Sequence, residues 1–194
     1  MSTRITFLLP LLALSCIDAP AQTPSGALVV KGVAVSAGVG LEAACTPAGP
    51  EICFDARDNN CNGVIDEGCG LRTGLLQFVI AWEASEADVD LNVYDANQEL
   101  VRVGEPTVGG LAKDRDCPRA TECQGQNVEN VYLADGEPRK GKYKVVVHLE
   151  KANGATPPVR VRLGVRMGAR SYGMNVDLAP GTGAEDKEFS FELR

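Results

Sequence analysis

Asp88-Val89-Asp90-Leu91-Asn92-Val93-Tyr94 alternates a polar with an apolar side chain at every step. A period of two belongs to an extended strand, so Val89, Leu91 and Val93 share one face while Asp88, Asp90 and Asn92 share the other. The first face builds a core and the second meets water. The same pattern recurs at Tyr143, Val145, Val147 and Leu149. It recurs again at Val161, Leu163, Val165 and Met167, with Arg160, Arg162, Arg166 and Arg170 pointing outward.

Working outward, strand-like runs are expected at residues 75–82, 88–94, 100–103, 128–133, 143–150, 159–167, 172–178 and 188–193, separated by Gly, Pro, Asn and Asp clusters. No helical repeat of comparable length competes. The expected fold of residues 70–194 is therefore mainly β, an antiparallel β-sandwich or jelly roll around one core, with Trp82 in or beside it.

Ahead of this region lies C-T-P-A-G-P-E-I-C-F-D-A-R-D-N-N-C-N-G-V-I-D-E-G-C, residues 45–69, with cysteines at 45, 53, 61 and 69 around a cluster of Asp and Asn. Asp58, Asn60 and Asn62 alternate and Gly63 follows, the D-x-[DN]-x-[DN]-G opening of a calcium loop. Gly63 permits the turn that offers the Val64 carbonyl, and Asp66 falls at the ninth loop position. Cys69 stands at the twelfth, where an EF-hand has a bidentate Glu. Only Asp58 and Asp66 surely bring charge, with Asp55 and Glu67 in reserve, so a modest calcium affinity is expected. The bland alternative is a set of Asx turns between disulfides. A zinc or copper thiolate site fits less well, because an oxidising compartment leaves few free thiolates.

This segment resembles the metal-binding motif family named for the surface protein MopE, through Glu51, Cys53, Asp55, Asp58, Asn59, Asn60, Cys61, Asn62, Gly63, Asp66, Glu67, Gly68 and Cys69. Ala56 replaces the family's usual Gly and alters the approach turn. The resemblance implies a metal-binding module, with copper as the rival ion, and pairing of Cys53 with Cys61, which leaves Cys45 for Cys69. Spacing alone keeps the other connectivities open.

Residues 1–15 carry Arg4 and then an apolar run from Ile5 to Leu14, a secretory signal too short to span a bilayer as a mature helix. Ala13-Leu14-Ser15-Cys16 resembles the lipobox of bacterial lipoproteins, although the Leu preferred three residues before the cysteine is displaced to Leu12. That resemblance implies acylation of Cys16, a membrane anchor, and outer-membrane or cell-surface attachment, since Ile17 rather than Asp follows. Of seven cysteines, lipidation of Cys16 leaves six, enough for three disulfides. Cys117 with Cys123 makes the local one. Residues 16–44, rich in Ala, Gly, Val, Ser and Pro, read as a flexible tether in which short strands could pair.

Residues 70–194 resemble the YfaP-like domain of bacterial secreted proteins through Ile80-Ala81-Trp82, Ala87-Asp88-Val89-Asp90-Leu91, Gly109-Gly110, Glu129-Asn130-Val131-Tyr132 and Gly141-Lys142-Tyr143-Lys144-Val145. Asp114-Arg115-Asp116 stands where that family has an Asp-rich turn, followed by the Cys117 to Cys123 insertion. The resemblance implies a β-sandwich at the cell envelope without assigned chemistry.

The single histidine, His148, sits on an outward strand face, so no Ser-His-Asp, Cys-His or paired-histidine zinc site can be built. Asp88, Asp90, Asp114, Asp116 and Glu129 could converge as a second calcium site, against the alternative of a solvated acidic face. The same residues leave carboxylate-based hydrolysis of envelope polymers as the rival activity, disfavoured by an aromatic content of 5%. The outward arginines suit an anionic polysaccharide. A net charge of −7 and a pI near 4.8 argue against nucleic acid. The expected protein is a non-enzymatic envelope lipoprotein with a calcium-binding stapled loop and a sandwich that binds a surface glycan or envelope protein.

Overall fold

The computed structural model describes residues 30–36, 39–42, 45–118, 123–181 and 183–194, and the signal segment and Cys16 lie outside them. Among the described residues, ten strands form two antiparallel sheets. In chain order they are β1 (Val30–Val35), β2 (Gly40–Glu42), β3 (Leu76–Trp82), β4 (Asp88–Tyr94) and β5 (Leu111–Arg115), then β6 (Val128–Leu133), β7 (Gly141–Lys151), β8 (Val159–Met167), β9 (Arg170–Leu178) and β10 (Asp186–Leu193). One sheet runs β1-β10-β7-β4 and the other β2-β9-β8-β3-β6-β5.

The alternating residues meet between the sheets. Val89, Leu91 and Val93 of β4 lie directly opposite Leu149, Val147 and Val145 of β7, all buried. Phe78, Ile80 and Trp82 of β3 register against Val165, Leu163 and Val161 of β8 and close the core from the other sheet. Phe191 of β10 stacks on Tyr143 at 5.0 Å between centroids, reaches Phe78 across the sandwich at 5.9 Å, and lies 5.7 Å from Phe189. The Trp82 indole N–H is satisfied by the Ala87 carbonyl at 3.1 Å.

Within the segment read as a tether in which short strands could pair, β1 pairs with β10 and β2 with β9, and Val33 and Val35 pack on the core. Two expectations change. Residues 100–103 form isolated bridges instead of a strand, since the Asp95 carboxylate takes the amides of Asn97 and Glu99 and turns the chain just before them. β5 was masked by its polar sequence Leu-Ala-Lys-Asp-Arg, which suits the sheet edge it occupies.

All seven residues of β3 are buried, including those facing away from the core. The cover is the cysteine-rich module with the residues just after it: Ala56 and Ile65, joined by Leu71, pack on Val79 and Ala81 of β3 and Val128 of β6, with Phe54 at the margin. A strand covered on both faces reads as a near-continuous apolar run, as Leu76–Trp82 does apart from Gln77, whose buried amide donates to the Ile65 carbonyl and to Asn130 Oδ1. A glycine makes the seat. A Cβ on Gly164 of β8 would stand 2.4 Å from the Ala56 carbonyl oxygen, while its register partner Gly173 of β9 makes room for the Arg162 guanidinium. Gly164→Ala should push the module off the sheet and cost about 1–3 kcal/mol. Thermal unfolding would register the loss, and an unchanged melting temperature would show that the module is not seated there.

Candidate metal centre

The module has little regular structure, and side-chain carboxylates organise its backbone instead. Asp66 is buried, and its Oδ1 accepts the amides of Phe54 (2.7 Å) and Asp55 (3.3 Å) while Oδ2 accepts that of Ala56 (3.2 Å). Burial pushes its carboxyl up to about 7, with the amide hydrogen bonds pulling the other way. Glu51 Oε1 accepts the Asp66 amide at 2.9 Å and Oε2 the Asn59 amide at 3.1 Å; burial raises its carboxyl too. Asp55 caps its own turn through Arg57 N–H at 2.9 Å and receives the Asn59 amide group at 3.1 Å.

These clasps explain the disulfides. Cys45 joins Cys61 and Cys53 joins Cys69, which corrects the expected pairs Cys45–Cys69 and Cys53–Cys61. Asp66 draws residues 54–56 beside 66–69, bringing Cys53 to Cys69. The Ala48 N–H on the Asn59 carbonyl (2.8 Å) and the Ile52 N–H on Asn59 Oδ1 (3.0 Å) lay residues 45–52 along 58–61, bringing Cys45 to Cys61. The two bridges interlace rather than nest. Cys117 pairs with Cys123 as expected.

The loop from Asp58 has the expected turn. Asp58 Oδ1 accepts the Asn62 amide at 3.0 Å, and its Oδ2 accepts the Gly63 amide at 2.9 Å and the Ser171 hydroxyl of β9 at 3.0 Å. Gly63 has φ 89°, the left-handed region that favours glycine. Asn60 Oδ1 takes the Asn62 amide and Asn62 Oδ1 the Val64 amide, both at 2.9 Å. Their amide groups then converge on one atom, Glu67 Oε1, at 2.5 and 2.6 Å. Glu67 Oε2 is buried and has no hydrogen-bond partner among the described residues.

Asp66, expected at the ninth loop position, accepts the amides of residues 54–56 on both oxygens, and Asp55 caps its own turn; each keeps lone pairs for a cation, as Asp58 does. Glu67, held in reserve on sequence grounds, offers the unsatisfied oxygen. Asp58, Asn60, Asn62 and Val64 share one turn, and the two asparagine amide groups join Glu67 to it. A carboxylate oxygen has two lone pairs, so the amide bonds to Asp58 leave it able to ligate. Arg166 of β8 stands close enough for Asp58 and Glu67 to raise its guanidinium, though burial outweighs them and lowers it overall. Ser171 and Arg166 were not singled out as site residues, since only folding brings β8 and β9 beneath the loop.

The donor chemistry suits a hard cation. All four cysteines of the module are in disulfides, and residues 45–69 contain no His or Met. Copper prefers imidazole or sulfur, whereas carboxylate, amide and carbonyl oxygens suit calcium.

The second acidic group is brought together only in part. Asp90, Asp116 and Glu129 each place a carboxylate oxygen within 4.8 Å of the others. Asp114 instead faces Arg72 and Asn130, accepting the Arg72 amide at 3.2 Å and the Asn130 amide group at 3.1 Å. It therefore leaves the expected cluster.

Residues 41–67 match the family whose description is "Putative metal-binding motif" and whose name refers to copper binding and MopE. No curated protein and no solved structure matches the chain.

Proposed function

We propose that the module of residues 45–69 binds calcium and belongs to a non-enzymatic lipoprotein of the cell envelope. The observation that carries the metal reading is the buried, unpartnered Glu67 Oε2 beside Asp58, Asn60 and Asn62. Two carboxylates and two neutral amides suggest a dissociation constant of about 10⁻⁵ to 10⁻³ M, within reach of extracellular calcium.

Export is supported by three disulfides, which persist in oxidising compartments. They use six of the seven cysteines and leave Cys16, at the end of an apolar run, for acylation. A non-catalytic role is supported by His148, whose ring nitrogens face Asp186 at 2.7 Å and Glu150 at 3.6 Å, an arrangement that activates no nucleophile. For the sandwich we propose a surface glycan or envelope protein as partner. An open groove of about 550 Å³ runs where the module meets the sheet, and Arg57, Arg160 and Arg162 line it together with Asp55, Glu83 and Asp177. Arg162 is already paired with Glu42 at 2.7 Å, so the groove offers a polar surface of mixed charge, which suits the hydroxyl groups of a glycan or a polar protein face.

Elemental analysis of the oxidised full chain, after exposure to equal calcium and copper, tests the metal reading. Calcium should be retained, one equivalent of it should be lost on Asp58→Ala, and copper should stay near background. Stoichiometric copper without calcium would favour the copper-scavenging alternative.

A further inference from the structure

At one seam of the sandwich, β4, the edge of the smaller sheet, faces β6 of the larger. Glu129 of β6 points inward on the same face as Val131 and Leu133, and its side chain is wholly buried. Its Oε2 accepts the Leu91 amide of β4 at 2.6 Å, which satisfies that open edge, and the Lys113 ammonium at 2.9 Å. Its Oε1 has no hydrogen-bond partner among the described residues, although Asp116 stands within hydrogen-bonding reach of the carboxyl.

A buried acceptor facing a second acceptor calls for something positive between them. The local balance is negative. Asp90, Asp116 and Glu129 converge within 4.8 Å, and Asp88 and Glu150 add to the field at Asp90. Lys113 answers with one charge, 2.8 Å from Asp116. Burial acts against its ammonium, and the Glu129 and Asp116 carboxylates overcome it and hold it above its ordinary value. The Asp116 side chain is 58% exposed, so the group opens to solvent on that side.

We propose that Asp90, Asp116 and Glu129 bind a hard divalent cation at this seam, with the Lys113 ammonium as the resident charge that the ion displaces. The three ligands come from β4, from the turn after β5 and from β6, so the ion ties the two sheets together. Oxygen ligands without sulfur or imidazole suit calcium, magnesium or manganese. Lys113, on a long flexible stem, can swing to the rim beside Asp116 and leave a divalent ion where a single positive charge stood.

Calorimetric titration of the oxidised full chain with calcium chloride, then with manganese chloride, tests this site separately from the Asp58 loop. Wild type should bind two calcium ions, Asp58→Ala one, and Asp116→Asn one. Lys113→Met should tighten the seam site by about tenfold, the effect of removing a competing charge. Asp116 is exposed, so its variant folds even if a change at Glu129 does not. Loss of binding in Asp116→Asn but not in Asp58→Ala would keep the seam site and reject the loop. If neither Asp116→Asn nor Lys113→Met alters binding of either ion, a proton on Glu129 fills the gap and the proposal fails.

Discussion

Phe191→Ala should lower the free energy of unfolding by about 3–5 kcal/mol, a large share of what a domain of this size has to lose. Phe191 is 2% exposed and bridges the two sheets, stacking on Tyr143 within its own sheet and meeting Phe78 in the other. Truncation leaves a cavity bounded by three rings that strand pairing holds in place, so collapse around it is limited. Denaturant unfolding should show an earlier midpoint with an unchanged slope. A loss below about 1 kcal/mol would mean that the sheets do not pack through this residue.

The double variant Cys53→Ser with Cys69→Ser should cost about 2–4 kcal/mol, since its bridge spans 16 residues, and should weaken metal binding by loosening the clasp around Asp66. It also separates the two connectivities. With interlaced bridges, Cys45 and Cys61 stay joined and thiol titration finds no free cysteine in the module. With nested bridges both would be released, and two free thiols would contradict the structure.

The sandwich was legible wherever one face of a strand meets water, as in Asp88–Tyr94, where alternation reports the face directly. It was less legible in Leu76–Trp82, whose outer face is apolar at Val79 and Ala81 because an upstream module covers it, which no local pattern reveals. The disulfide pairing could not be read from four equally spaced cysteines. It depends on Asp66 and Asn59 bonding to backbone groups seven to twelve residues away. Ala56 shows both sides of the problem. Its φ of 55° explains why the resembled motif has glycine there, while its buried methyl group joins the contact with β3 and β6. The calcium-loop spacing singled out Asp58, Asn60 and Asn62 as ligands, and these residues form one turn, whereas the bonds of Asp66 to residues 54–56 and of Glu67 to the two asparagine amide groups appear only in the folded module. Asp90, Asp116 and Glu129 were recognisable as acidic residues, whereas their union with Lys113 is a product of strand order.

Calcium-dependent melting of the oxidised chain tests the central claim most directly, with Asp58→Ala and Glu67→Gln compared against wild type. At calcium concentrations of ten to a hundred times the dissociation constant, binding should stabilise wild type by about 1–3 kcal/mol. Both substitutions should remove the part of the gain that belongs to the loop. Equal calcium-dependent shifts in all three proteins, or no shift in any, would contradict a metal centre built on Asp58 and Glu67.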